Sequence, residues 1–272
     1  MIFAISGSLG DEIALTGLVR EFIRAYPDER VHIQCRWPDL WVGNPRVHSV
    51  NAGNESNLVW LPLGINPSAG NLVHAYASYL KAIRGLDIPI VNSQPELFLN
   101  GARMTFGGGR PRVAFDAWAG WPRRRWPHFT QLVSALEFAG IYTIELGAST
   151  ADCFGDRRPG PVPGVSCSFL DKLCVRETAE LMACCDLYVG NDSGLAHMAI
   201  AVGIPAVVIC ALPWWSVGYP SFGRRPGTTP IFPTARHCDS LGCDVKCNGD
   251  NCLTSIDPKV VMAAITGILG QP

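Results

Sequence analysis

The sequence predicts an α/β protein made of two Rossmann-like halves, the first reduced in size. Three observations carry that class. Short apolar or β-branched runs of strand length alternate with amphipathic runs of helix length along the chain. The stretch Asp186 to Ile209 reads as strand, polar turn, helix and second buried strand without a break. The segment GGGRP, Gly107 to Pro111, interrupts both periodicities and marks the linker, dividing the chain into 1–107 and 108–272.

In the first half, Ile2 to Ser6 is expected as a strand, Asp11 to Ala25 as a helix, and Val31 to Cys35 and Leu58 to Leu61 as two more strands. Asn71 to Ile83 is a helix whose apolar face carries Val73, Tyr76, Ala77 and Leu80. In the second half the strand Val113 to Phe115 leads to the helix His128 to Ala139, the strand Tyr142 to Leu146 and the helix Arg176 to Cys184. Leu187 to Gly190 is then a strand, Asn191 to Gly194 a turn, Leu195 to Val202 a small-residue helix ended by Gly203, and Ile204 to Cys210 a β-branched strand. A last helix, Pro258 to Leu269, follows Asp257, an N-cap with proline at the first helical position.

With 272 residues, 48% of them hydrophobic, the chain can bury two ordinary cores. A formal net charge of −1 argues against a general polyanion binder. Basic residues cluster only at Arg123 to Arg125 and Arg224 to Arg225, with no nucleic-acid motif beside them, so nucleic acid is excluded as a partner. MIFAISGSLGDEI lacks a basic n-region and meets Asp11 and Glu12 too early for a secretory signal, which gives the expectation of a cytoplasmic protein. The uncharged run Met198 to Val217 has the length of a membrane span, but Gly203, Pro205 and Pro213 divide it and it reads as buried sheet.

The turn at Asn191 to Gly194 is the first candidate site. The opening N–H groups of a helix have no internal partner and favour an anion beyond the carboxyl end of the sheet, and Gly194 lets a phosphorylated ligand approach the backbone. The alternative is an ordinary N-cap by Asp192 or Ser193, with His197 merely packed. Asp11 has the same ambiguity: a carboxylate within reach of a ligand, or a cap on a helix starting at Glu12.

Eleven cysteines in a reducing compartment do not suggest disulfides, and seven of them read as small buried residues. Cys238, Cys243, Cys247 and Cys252 form C-x4-C-x3-C-x4-C in a polar segment, where four thiolates could close a structural zinc or iron site or remain free or partly oxidised.

Three segments in order resemble the ADP-heptose glycosyltransferases of glycosyltransferase family 9. They are SGSLGDEIALTGLVREFIRAYP, RRRWPHFTQLVSALEFAG, and the D-S-G-x-x-H motif formed by Asp192, Ser193, Gly194 and His197. The resemblance implies two facing domains of GT-B fold and an inverting transfer of heptose from ADP-heptose to an acceptor hydroxyl, with no cofactor needed for catalysis. It makes Asp11 the general base, in a loop that turns at Gly7 and Gly10. Arg124, where the family has lysine, would hold the donor together with Asp192, Ser193, Gly194 and His197. A lipopolysaccharide inner-core glycolipid is the leading acceptor, reached by peripheral contact with a membrane. Alternatives are an autotransporter protein acceptor, another nucleotide-sugar donor, and a non-catalytic nucleotide-binding scaffold. Ser149 stands where an acidic ribose or base contact is usual, and Ala119 and Gly120 lack hydroxyls that contact the donor. Glu145, at a strand end, is a further group near the nucleotide. Members that modify autotransporters carry a four-cysteine iron finger, which adds to the metal reading of Cys238, Cys243, Cys247 and Cys252.

Overall fold

A computed structural model describes residues 1–5, 7–52, 58–62, 71–101, 106–149, 155–211, 228–233 and 252–270. Two parallel sheets organise it. In the first half β1 (Ile2–Ala4), β2 (Val31–Gln34), β3 (Val47–Val50) and β4 (Leu58–Trp60) lie in the order β3-β2-β1-β4, with α1 (Leu9–Ala25) after β1 and α2 (Leu72–Arg84) after β4. In the second half β5 (Arg112–Asp116), β6 (Tyr142–Glu145), β7 (Cys167–Ser168), β8 (Leu187–Asn191), β9 (Ala206–Ile209) and β10 (Thr228–Ile231) take the order β10-β9-β8-β5-β6-β7. Its helices are α3 (Phe129–Phe138), α4 (Val175–Ala183), α5 (Gly194–Val202) and α6 (Pro258–Leu269).

Both orders reverse direction beside their first strand, between β1 and β4 and between β5 and β8. In an open parallel sheet the connections leave that point to opposite sides, so a crevice opens at the carboxyl ends of those two strands. The residues that follow β1, β4, β5 and β8 are therefore the ones placed to meet a ligand.

Alternation along the central strands builds two cores. Val113 and Phe115 of β5, with Leu187 and Val189 of β8, face Leu132, Val133 and Leu136 of α3 and Val261 and Ile265 of α6. Ala114 and Tyr188 point the other way, into a cluster that also holds Met198 and Ile200 of α5, Leu15 and Leu18 of α1 and Val73 and Leu80 of α2. One core thus runs from the first half onto the inner face of the second sheet. The α1–α5 contact bridges it.

Capping explains several boundaries. Asn71 Oδ1 accepts from His74 N at 3.0 Å to start α2, and Gly85, at φ 66°, ends it. Asp257 Oδ1 accepts from Lys259 N at 2.8 Å, so the Asp-Pro start expected for α6 is present. The helix expected from Asp11 opens at Leu9, because Ser8 is its N-cap. β3, β7 and β10, not expected from the sequence, are edge strands of two to four residues with too little periodicity to detect.

The cysteines outside the cluster are not all small buried residues. Among the described cysteines outside the clustered segment, Cys185 and Cys210 are buried, Cys35, Cys167 and Cys184 are half-buried, and Cys174 is exposed. Cys174 caps α4, where its Sγ accepts from Glu177 N at 3.5 Å. Of the clustered four, Cys252 is described and buried, while Cys238, Cys243 and Cys247 lie outside the described residues. Among the described residues no group of three or more His, Cys, Asp or Glu could hold a metal ion. No helix among them is long and apolar enough to cross a membrane.

Candidate functional site

The first turns of α1 and α5 meet. A Cβ on Gly194 would stand 2.8 Å from Leu9 Cβ, and one on Gly10 would stand 2.7 Å from His197 Cδ2. Each glycine therefore makes room for a side chain from the opposite half, and the two helix N-termini are held side by side. Each end carries about half a positive charge from its aligned peptides. Bringing two such ends together is unfavourable unless negative charge lies near them, and the structure supplies it as Asp11 and Asp192.

Asp11 is the third residue of α1. Its Oδ2 accepts from Ser8 N at 2.9 Å and from Ser8 Oγ at 2.8 Å. The carboxylate does serve the helix start, but from inside the first turn, and both bonds fall on a single oxygen. The neighbouring Glu12 turns the other way: fully buried, it accepts from Arg36 N at 2.8 Å and Trp37 N at 3.2 Å and fixes the loop after β2. Gly7 lies buried in the loop between β1 and α1, and Gly10 is in the first turn of the helix.

Across the junction Asp192 and Ser193 follow β8. The capping alternative fails for Ser193, which is the N-cap residue of α5 but makes no side-chain cap bond. Asp192 instead faces Arg124, whose Nη1 lies 3.5 Å from both its Oδ2 and its carbonyl oxygen. Arg124 belongs to a short 3-10 turn, Pro122–Arg124, ahead of α3, and does not lie in the solvated first turn of that helix. Arg125 is engaged elsewhere, stacked 3.3 Å over the Trp118 ring with its Nε donating to Ala119 O at 2.9 Å. Arg124 thus reaches the first residue of the motif.

Three buried donors here have no hydrogen-bond partner among the described residues: Arg124 Nε, Asn191 Nδ2 and Ser193 Oγ. Asn191 Oδ1 is occupied, accepting from Trp126 N at 2.9 Å. Each unmet donor costs about 1–3 kcal/mol, and an oxyanion at the start of α5 is the kind of group that would recover it. Burial lowers the pKa of His197, opposed by the Asp192 and Asp11 carboxylates and reinforced by Arg124, so near neutral pH the imidazole is uncharged.

Sequence reasoning missed a second polar group at the same end of the sheet. Arg158 Nη1 donates to Asp116 Oδ1 at 3.0 Å, and its Nη2 donates to Glu145 Oε1. Asp116 Oδ1 also accepts from Trp118 N at 2.9 Å, and Glu145 Oε1 from Val162 N at 3.0 Å. Gly147, at φ 117°, leaves the space, since a Cβ there would stand 3.1 Å from Asp116 Oδ1. Glu145, expected near the nucleotide, is 0% exposed and held by Arg158. Asp116 lies one residue past the expected strand end, and Arg158 sits in a proline- and glycine-rich stretch without periodicity, so no sequence signal joined them. Ser149 is likewise engaged, its N donating to Asp171 Oδ1 at 2.8 Å.

The profile of glycosyltransferase family 9 (heptosyltransferase) matches residues 71–211. The chain belongs to glycosyltransferase family 9. The matched span runs from α2 to the end of β9 and contains Arg124 and the Asp192 to His197 motif, while Asp11 precedes it. A family 9 relative, lipooligosaccharide heptosyltransferase 2 of Haemophilus influenzae, is 30% identical over 109 residues, which is 38% of this chain and 32% of that protein. The match spans about a third of the length of this curated relative. The iron-containing dodecameric glycosyltransferase TibC from enterotoxigenic E. coli superposes with a TM-score of 0.74 at 16% identity, over 99% of this chain and 76% of that one. E. coli heptosyltransferase WaaC with ADP gives a TM-score of 0.68 at 13% identity, over 98% of this chain and 100% of that one. These likenesses establish the GT-B fold of two parallel α/β sheets.

Proposed function

We propose that this family 9 chain is an inverting glycosyltransferase that moves heptose from ADP-heptose to an acceptor hydroxyl. The observation that carries the reading is the meeting of the α1 and α5 N-termini, where Asp11 stands opposite a helix start with unspent donors. The first α5 amides, Ser193 and Arg124 hold the diphosphate and take up the charge that develops as the bond to the anomeric carbon breaks. Asp192 orients Arg124 by the pair already described. Gly194 admits the phosphate to the backbone, and the family resemblance makes His197, neutral here, a donor to it. Asp11 takes the proton of the acceptor hydroxyl as that oxygen attacks from the face opposite the leaving ADP. The closed junction fixes the distance between base and donor, which turns the encounter into a reaction within one complex. Gly7 and Gly10 shape the loop that brings the acceptor to Asp11.

ADP-heptose is favoured as donor by family membership and by the complexes solved for structural neighbours, TibC with ADP-D-beta-D-heptose and E. coli WaaC with ADP. A lipopolysaccharide inner-core glycolipid is the leading acceptor, with the chain working at the cytoplasmic membrane face without spanning it. The four-cysteine segment, which resembles the iron finger of autotransporter-modifying members, keeps a protein acceptor as the second reading. ADP release from ADP-heptose should depend on acceptor, and the new glycosidic bond should have the anomeric configuration opposite to the donor's by proton NMR. Retained configuration, or equal release from unrelated nucleotide sugars, would exclude this assignment.

We also propose a structural zinc or iron held by Cys238, Cys243, Cys247 and Cys252, with no part in the chemistry. Cys252 precedes a 3-10 turn, Leu253–Ser255, whose Leu253 is fully buried in the outer core beside α6. Elemental analysis of protein purified without chelator should find about one metal per chain, lost with a lower melting temperature in each Cys→Ser variant. Metal-free protein with unchanged melting in those variants would dismiss the site.

A further inference from the structure

Among the described residues of the first half, Tyr76 is the largest polar side chain with no exposed surface. Its hydroxyl is buried and has no hydrogen-bond partner among the described residues, an arrangement that native interiors avoid unless the group serves something else. Sequence periodicity placed it simply on the apolar face of a helix. The fold gives it a different setting. α1 follows β1 and α2 follows β4, the two strands that flank the switch point of the first sheet. Helical side chains lean toward the N-terminus, so Tyr76, in the second turn of α2, reaches back toward the first turn of α1, where Asp11 lies.

We propose that Tyr76 is a positioning residue for Asp11, its hydroxyl directed at the carboxylate so that the base is held from α2 as well as from its own loop. This rests on the assignment of Asp11 as general base. Burial, and after it the Asp11 charge, raises the phenol well above its ordinary pKa, so it stays a proton donor at every working pH. Ser8 supplies both described bonds to Asp11, and both go to Oδ2. A donor from α2 limits rotation of the carboxylate and keeps the remaining lone pairs aimed at the junction.

The other charged groups near Asp11 come from α5 and the Arg124 turn. His197 faces it across Gly10, with Asp192 and Arg124 behind, while Glu12 points away into the loop after β2. Tyr76→Phe removes a neutral donor by a single-atom change and leaves all of those charges in place.

Tyr76→Phe keeps the buried ring and deletes only the oxygen. It frees the carboxylate to turn away from the acceptor, so kcat should fall about tenfold while KM for the donor is unchanged. The direct reading is the carbon-13 NMR signal of Asp11 in aspartate-carboxyl-labelled protein at neutral pH, identified by its loss in Asp11→Asn. A displaced Asp11 signal in Tyr76→Phe supports the proposal, and an unchanged signal overturns it whatever the variant's melting temperature. Because that signal needs no turnover, it is decided separately from the base assignment, which fails on its own if Asp11→Asn remains fully active.

Discussion

Asp11→Asn is expected to lower turnover by roughly a hundredfold or more while leaving the affinity for ADP nearly unchanged. The reason is geometric. Asparagine keeps the shape of the side chain and an oxygen that can accept from Ser8 N, so the start of α1 survives. What it loses is the ability to take a proton from the acceptor hydroxyl. The diphosphate contacts lie across the junction on α5 and Arg124, so the effect should fall on kcat and not on nucleotide binding. Steady-state kinetics beside calorimetry on the same preparation separates the two quantities, and wild-type turnover would remove Asp11 from the mechanism.

The largest stability effect should come from Arg158→Met. Arg158 and Glu145 have side-chain exposures of 2% and 0%, and Asp116 one of 10%. Removing the single cation leaves two buried carboxyl groups facing each other, a change expected to cost about 3–5 kcal/mol. The loss should depend on pH. Burial pushes Asp116 up to about 6, with Arg158 opposing that rise, so the folded protein binds this proton more tightly than the unfolded chain. A carboxyl raised on folding makes stability fall as pH increases from its unfolded value, near 4, to its folded value. Without Arg158 the folded value rises further and the window of falling stability extends upward. Urea unfolding at pH 5 and pH 8 should therefore show a larger difference between variant and wild type at pH 8. An equal loss at both would mean that Arg158 acts through packing alone.

Much of this architecture is legible in the sequence because its central elements are periodic. α1, α2 and α6 carry amphipathic stripes or a plain Asp-Pro cap, and β5, β8 and β9 are continuous apolar runs buried on both faces of a parallel sheet. The structure brings Asp192 and Arg124 together although 68 residues separate them. The local strand-turn-helix pattern already singled out the turn that holds Asp192, whereas Arg124 was found only through the motif. The Asp116–Arg158–Glu145 group was not legible, because a buried charge cluster depends on which loops return to one strand end, and no periodicity encodes that. Tyr76 was legible as core but not as a neighbour of Asp11. That relation arises only when α1 and α2 lie beside each other on one sheet.

Calorimetric titration of ADP into the wild-type protein and into Arg124→Ala and Asp192→Ala tests the central claim most directly. If the α5 start and the Arg124 turn hold the donor's diphosphate, the wild type binds ADP and each variant binds it at least about tenfold more weakly, since each loses a charge-assisted contact or the group that orients it. Wild-type affinity in both variants would contradict the account and place the donor elsewhere on the molecule.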